Sequence, residues 1–412
     1  MQRLWSDLRN PHVTRIDRRD LLRLAAASCA FSLVSSCART PAVVAPVERP
    51  QRNLMQFPEK DPLILLTDRP PQLETPLHYF RQDLTPNEAF FVRWHLSGIP
   101  TSVDARTFRL NVAGHVEQPL ALSLHDLRTQ FEPVSLVAVN QCSGNSRSLY
   151  LPRVPGGQWG NGALGNARWT GVRLRDLLQR AGIKPGAVEV TFQGLDRPAV
   201  PTIPAFVKAL AAEHAMDGEP MVAYAMNGQA LPMLNGFPLR LVVPGWFATY
   251  WVKALNDITV LNAKFSGFWM DKAYRIPKAV DAQELPDHLA TETTPINRLS
   301  VRSLFVRPEP DEHVAQGQVY PVEGIAMDSG DGIRRVEVSA DGGVTWADAD
   351  LDPVIGKYSW RRWRFRWLVS SVGTHRLLAR ATTASGQTQT TAQWNRSGYA
   401  RNVIEHIDVT AS

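Results

Sequence analysis

Cys142 follows the apolar run Val134-Ser135-Leu136-Val137-Ala138-Val139 and stands among small and polar residues, with Arg147 five positions on. The run reads as a strand, so the thiol falls at a strand-to-loop junction, where folds place chemistry. The chain has three cysteines, and Cys29 and Cys37 lie in an N-terminal segment that reads as an export signal. Removal of that leader would leave Cys142 alone, with no intramolecular disulfide open to it. Buried filler, reactive thiol and metal ligand remain as its roles. A neighbouring guanidinium favours a thiolate, the form of cysteine that binds metals.

Basic and aromatic groups recur in three further stretches. Phe90-Phe91-Val92-Arg93-Trp94-His95 reads as a strand, with Arg93 and His95 on one side. Phe237-Pro238-Leu239-Arg240 runs on through Val243-Pro244-Gly245 to Tyr250-Trp251-Val252-Lys253. Phe268-Trp269-Met270-Asp271-Lys272-Ala273-Tyr274-Arg275 sets another Tyr beside cations. Singly, each is a solvated cation or a core-edge aromatic. Together with a soft thiolate they describe an anion site next to a metal. By contrast, Gly160-Asn161-Gly162-Ala163-Leu164-Gly165 matches a dinucleotide-binding pattern by letter only. No apolar strand precedes it and Arg168-Trp169 stand where a helix should begin. Its glycines are expected to let the backbone approach something closely.

The elements that must position these residues form two textures. From about Leu77 to Asn297, Phe108–Val112, Val188–Phe192 and Leu239–Val243 read as strands. Leu174 to Ala181 reads as a helix stopped by Gly182. Frequent Gly and Pro predict an α+β catalytic domain, residues 76–297, with long loops. From residue 298 to 412 short strands and turns predict an immunoglobulin-like β-sandwich: Val336–Ser339, the Asp341-Gly342-Gly343 turn, Val344–Trp346, Trp360–Leu368 and Arg376–Ala381. Residues 41–75 are Pro-rich and aperiodic, and read as a linker and N-terminal wrap.

With 412 residues, 44% of them hydrophobic and 20% charged, the chain has the composition of an ordinary globular protein. Residues 1–40 hold seven Arg and three Asp, so a net +4 of the +6 charge sits in the leader. The remainder argues against nucleic-acid binding. Arg18-Arg19 followed by the apolar stretch Leu24 to Val34 reads as a twin-arginine signal, too short to span a bilayer. Periplasmic export after cytoplasmic cofactor loading is the expectation. Val34-Ser35-Ser36-Cys37 also fits a lipoprotein processing site, with simple cleavage as the alternative.

The Cys142 segment, Phe-Phe-Val-Arg-x-His, Gly-Phe-Pro-x-Arg with Val-Val-Pro-Gly and Lys253, and Trp269 with Tyr274 resemble, in order, the sulfite oxidase family of molybdenum enzymes. The likeness runs from about residue 55 and is nearest to bacterial periplasmic sulfite dehydrogenases. It implies a molybdopterin-binding domain followed by a dimerisation-type sandwich. It implies Cys142 as the protein's ligand to the molybdenum of a molybdenum cofactor (Mo-molybdopterin). Arg93, Arg147 and Trp159, with Trp269 near, would line the substrate pocket, and Tyr274 would hydrogen-bond the substrate or an oxo group of the cofactor. Phe91, Val92, His95, Asp196, Asn235, Arg240, Trp251 and Lys253 would hold the pterin and its phosphate. Animal members carry His three residues before the Pro of Gly-Phe-Pro, where this chain has Asn235. Their C-terminal pocket Arg has no clean counterpart in Trp394-Asn395-Arg396-Ser397-Gly398. Arg396 and Arg401 are the candidates, with Arg401 preferred.

The resemblance implies oxidation of sulfite to sulfate, with electrons leaving singly. No haem attachment motif is present in the sequence, so a c-type cytochrome is expected as acceptor or subunit. A homodimer and a heteromeric complex are both open. The alternative is an S-oxide reductase, such as one acting on methionine sulfoxide, on the same scaffold; Arg93, Arg147 and the sandwich favour sulfite. A non-catalytic exported protein anchored at Cys37 predicts no molybdenum.

Overall fold

The computed structural model describes residues 54–309 and 312–412. The expected twin-arginine leader, Cys29 and Cys37 lie outside the described residues. Two five-stranded sheets frame the first half. One runs Val207–Ala211, Glu189–Gly194, Leu255–Leu261, Leu110–Gly114, Leu120–Leu122, and its Leu255–Leu261/Leu110–Gly114 pair is parallel. The other is built on the long hairpin Val134–Gln141/Leu164–Arg173, with Met221–Met226, Gln229–Ala230 and Arg240–Val242 beyond it. In that hairpin Gln141 faces Leu164, which fixes where the chain leaves the sheet immediately before Cys142.

The helix Leu174–Ala181 forms as the sequence predicts. Leu174, Leu177, Leu178 and Ala181 are spaced for one face and all are buried. Gly182 ends it in the left-handed region at φ 68°. The glycine motif is followed by the strand Leu164–Arg173, not a helix, so it has no phosphate-binding helix N-terminus. Its glycines do admit close approach, but to this chain itself. A Cβ on Gly162 would sit 2.0 Å from the Thr75 carbonyl oxygen, and one on Gly165 would enter the Phe90 ring.

Residues 54–74 correct the expectation of an aperiodic wrap. They form strands Leu54–Met55, Leu63–Asp68 and Pro71–Glu74, and the last pairs with Val92–Arg93. The order was hidden because prolines and a register shift break the alternation over so short a stretch. Leu63, Leu73, Val92 and Trp94 pack as a small core of their own. Arg93 is therefore aimed by a sheet that begins before the expected domain boundary.

The C-terminal half is the expected sandwich. One sheet is Arg302–Arg307, Val319–Met327, Arg361–Leu368, Asp350–Leu351; the other is His313–Val314, Glu405–Ala411, Gly373–Thr383, Ile333–Ser339, Ala347–Asp348. Val344–Trp346 does not resume the strand, because the Asp341 carboxylate accepts from Thr345 N and holds the turn open; pairing restarts at Ala347. Val322, Val336, Trp363 and Leu377 fill the interior. Leu304, Val306, Ile325 and Met327 instead join the core of the first half. The two halves thus share an apolar core.

Gly162→Ala tests the packing of the loop beside Cys142. The added methyl has no room, so the variant is expected to lose about 1–3 kcal/mol. Denaturant unfolding checks this; an unchanged midpoint would mean that the loop can shift at no cost.

Candidate active site

A pocket is lined by Phe91, Arg93, His95, Cys142, Ser143, Asn235, Arg240, Ala248, Thr249, Lys253 and Tyr274. Eight of these eleven come from the sequence-predicted set. Period-two alternation brings Phe91, Arg93 and His95 to the same side, while Val92 and Trp94 turn into the small core.

Cys142 is a free thiol, 7% exposed, at the mouth of the hairpin. Its N–H donates to Ala163 O at 2.9 Å, and its carbonyl accepts from Asn145 N at 3.0 Å. Asn145 Oδ1 in turn accepts from Ala163 N at 2.9 Å. The loop is thus stitched to Gly160–Ala163 on both sides of the thiol. Of the lining residues only Cys142 and His95 are ordinary transition-metal ligands, and His95 Nε2 is already bonded to the Tyr274 hydroxyl.

His95 is sandwiched by aromatics. It stacks on Phe206 at 3.8 Å and meets Trp269 edge-on at 5.3 Å. Burial, then the charges of Arg93, Lys253 and Lys208, hold its pKa well below the usual imidazole value. Burial pushes the Tyr274 hydroxyl upward. A phenol that keeps its proton can donate to an imidazole that stays neutral. Tyr274 also has φ +57°, a left-handed conformation uncommon for Tyr and found where surroundings over-determine the backbone.

The floor is cationic. Arg240, 3% exposed, donates to Asn235 O at 3.1 Å and to Asn140 Oδ1 at 2.9 Å, and its guanidinium lies 5.3 Å from Trp169 and 5.8 Å from Trp251. Burial pulls it down to about 9, so it remains a cation at neutral pH. Lys253 Nζ lies 4.8 Å over the Trp94 ring. Burial pulls the Lys253 ammonium down and pushes the Asp196 carboxyl up, with their mutual attraction opposing both shifts. Four buried polar atoms near this floor lack a protein partner among the described residues: Arg240 Nε, Asn140 Nδ2, Ser143 Oγ and Thr249 Oγ1. Unmet buried donors beside these cations fit a polar, anionic group such as a pterin phosphate.

Other expected residues stand outside the lining. Trp159 is a core residue, edge-on to Phe91 at 6.5 Å. Trp251 backs Arg240, and Trp269 backs His95 while donating to Pro204 O at 3.2 Å. Asp196 interacts with Lys253 through their charges. Arg147 is pinned by the Ser397 and Gly157 carbonyls at 3.0 and 3.3 Å and lies 4.9 Å over the Tyr399 ring. The structure does not bring Arg401 or Arg396 to the pocket. Arg401 pairs with Glu405 at 3.3 Å, and Arg396 pairs with Glu284 at 2.6 Å, so neighbouring carboxylates hold both.

Besides Ser143, Ala248 and Thr249 of the lining, three residues around the pocket escaped the sequence reading. Tyr399 stacks on Tyr274 at 5.4 Å, nearly parallel. Lys208 donates to Trp269 O at 2.8 Å under the Tyr250 and Tyr274 rings; a charge inside Phe206-Val207-Lys208-Ala209-Leu210 was its signal. Lys60 donates to Asn87 O at 2.7 Å, to Phe90 O at 3.1 Å and to Asn235 Oδ1. It fixes the side chain of Asn235, and nothing local in the sequence marks it.

With this geometry in view, the comparisons are specific. The oxidoreductase molybdopterin binding domain family matches residues 96–269, and the Mo-co oxidoreductase dimerisation domain family matches residues 293–412. Mitochondrial sulfite oxidase of Rattus norvegicus is 36% identical over 310 residues, 72% of this chain and 54% of that protein. Sulfite oxidase of Arabidopsis thaliana is 31% identical over 287 residues, 66% of this chain and 72% of that protein. The crystal structure of the sulfane dehydrogenase SoxCD from Paracoccus pantotrophus shares the fold, with a TM-score of 0.72, 23% identity and coverage of 92% and 93%. The chain belongs to the sulfite oxidase family of molybdenum enzymes. It spans little more than half the length of the rat relative.

Lys60 gives a pH-dependence. Burial pulls its ammonium down to about 7, against the opposing pull of Glu88, Glu59 and Asp61. An unfolded lysine holds its proton to about 10.4. Between these values the unfolded state binds more protons, so stability rises with pH, by at most about 1.4 kcal/mol per unit for this one group. The cofactor-free protein should therefore gain stability over Lys60→Met as pH climbs from 7 to 9.5. Denaturant unfolding at several pH values measures the difference; a difference that stays flat would show that Lys60 does not titrate there.

Proposed function

We propose that this protein oxidises sulfite to sulfate at a molybdenum cofactor, passing two electrons one at a time to a c-type cytochrome in the periplasm. The observation that carries the reading is a buried thiol sharing one pocket with Arg93, Arg240 and Lys253, beside orphaned buried donors. Sulfite dehydrogenation consumes one water and releases two electrons and two protons. The bound cofactor would supply the oxo-transfer and redox chemistry.

The chain's own residues bind, orient and hold protons. Cys142 would ligate the metal. Arg240 and Lys253 would face the cofactor's phosphate, with Asn235 held by Lys60 beside them. Arg93 would meet the anionic oxygens of sulfite. Tyr274, its proton retained and its ring stacked on Tyr399, would hydrogen-bond substrate or product, oriented by His95. Arg147 would act behind Tyr399, through the field it adds to the site. Export rests on Arg18-Arg19 and the apolar stretch after them, with Cys37 as a lipidation site or a residue lost on cleavage. The sandwich would support a homodimer or a cytochrome-containing complex.

The test is sulfite-dependent reduction of cytochrome c and, in parallel, ferricyanide by protein loaded with cofactor. Reduction of both supports the reading in full. Ferricyanide alone removes the cytochrome assignment. Inactivity of molybdenum-containing protein overturns sulfite oxidation and favours the S-oxide reductase.

Two variants sharpen it. Cys142→Ser should abolish activity and the thiolate-to-molybdenum absorbance while leaving far-UV circular dichroism unchanged; surviving activity would remove Cys142 as ligand. Arg93→Gln removes a charged hydrogen-bond partner worth about 1.5–3 kcal/mol. The sulfite KM should rise about 10- to 150-fold, and an unchanged KM would take Arg93 out of the substrate pocket.

A further inference from the structure

Arg302 opens the first strand of the sandwich, yet its side chain is 1% exposed and reaches the cysteine loop. Its Nη2 donates to Ser146 Oγ at 2.5 Å, to Asn161 Oδ1 at 3.1 Å and to Glu405 Oε1 at 2.6 Å. Ser146 lies four residues after Cys142 and is held at φ 68°, a left-handed conformation unusual for Ser. Its hydroxyl donates to Asn161 Oδ1, and Asn161 O accepts from Asn145 Nδ2 at 3.4 Å. Asn145 donates its N–H to the Cys142 carbonyl, and its Oδ1 accepts from Ala163 N. A continuous set of hydrogen bonds therefore runs from the sandwich to both backbone groups that hold the thiol.

Glu405, on the last strand of the sandwich, anchors the far end. It accepts from Arg302 and, at 3.3 Å, from Arg401, whose guanidinium lies 5.5 Å from the Tyr150 ring. Burial pushes the Glu405 carboxyl up, but the two guanidinium groups outweigh it and hold it down. The cluster stays charged, and a charged pair this dry is costly to separate, because either partner alone would be a buried, uncompensated charge. Arg302 Nε and Nη1 make no further hydrogen bonds among the described residues, so the side chain's polar contacts rest on Nη2.

We infer that Arg302 is a positioning residue for the metal-ligand loop, through which the dimerisation-type sandwich sets the place of the Cys142 thiolate. This rests on the reading of Cys142 as the molybdenum ligand. It gives the second domain a task inside each chain, separate from any role between chains. It also accounts for Arg401, which shares the Glu405 carboxylate and lies outside the pocket lining.

The experiment compares wild type with Arg302→Gln, Arg302→Lys and Ser146→Ala, each as full-length protein at matched molybdenum content. Three quantities are read: the wavelength of the thiolate-to-molybdenum band, kcat and KM for sulfite, and Tm. Arg302→Gln and Ser146→Ala should shift the band and lower kcat about 3- to 10-fold with KM unchanged, because Arg93 sits on a different sheet. Arg302→Lys keeps a cation on Glu405 and should restore most of both. A role in stability alone would lower Tm and leave the band in place, which overturns the inference. Should Arg302→Gln fail to fold, Ser146→Ala still cuts the link from the loop side with the ion pair intact. A wild type that loads metal beside variants with an unshifted band overturns this inference only. A wild type that takes up no molybdenum overturns the ligand reading and this inference with it.

Discussion

Buried positive charge that the carboxylates among the described residues match only in part is the constraint that organises this molecule. Arg93, Arg240 and Lys253 converge on one pocket, Lys60 and Lys208 lie just behind it, and Asp196 is the carboxylate whose charge acts on Lys253. Removing cations from water costs several kcal/mol each unless something compensates. Here the compensation is partial: aromatic faces over Lys253, Lys208 and Arg240, and backbone carbonyls around Lys60. The deficit is what an anionic cofactor and an anionic substrate would fill. Burial first, and then the same field, keep His95 neutral, since a further proton there would be dry and would meet three cations.

A field of that kind helps only if the groups do not move. The protein supplies rigidity by placing each functional residue at the end of a regular element or against a packed ring. Arg93 leaves a four-stranded sheet, Cys142 leaves a long hairpin and Arg240 opens a strand. His95 is fixed between Phe206 and Trp269, and Tyr274 by its stack on Tyr399. Arg147 shows the same economy of motion. Gly144, Gly156 and Gly398 give its side chain room where any Cβ would come within 3 Å of it, and two carbonyls then hold it.

The sandwich belongs to this scheme. Leu304 and Ile325 enter the core that also surrounds the pocket, and the Arg302–Glu405 pair is joined to the cysteine loop. Shared apolar core and buried ion pair together make the second half part of the framework that holds the first.

Much of the site was legible in the amino-acid sequence because its chemistry is local. A thiol after an apolar strand, Arg and His two apart, and Arg240 within a Pro- and Gly-bounded strand each carry their signal within a few residues. Strand and helix positions around them followed from periodicity, as in Leu174–Ala181. The sheet formed by residues 54–74 was not legible, because prolines erase the period-two pattern in strands so short. Lys60, Tyr399 and the fate of Arg401 were decided by tertiary structure alone. Each depends on a partner more than a hundred residues away or on a carboxylate competing for the same guanidinium: Lys60 with Asn235, Tyr399 with Tyr274, Arg401 captured by the Glu405 that Arg302 also holds. Sequence determines which groups exist and which face of a strand they take. Which of several cations reaches the pocket is settled by packing and by competition for buried counter-charges, and both are properties of the folded chain.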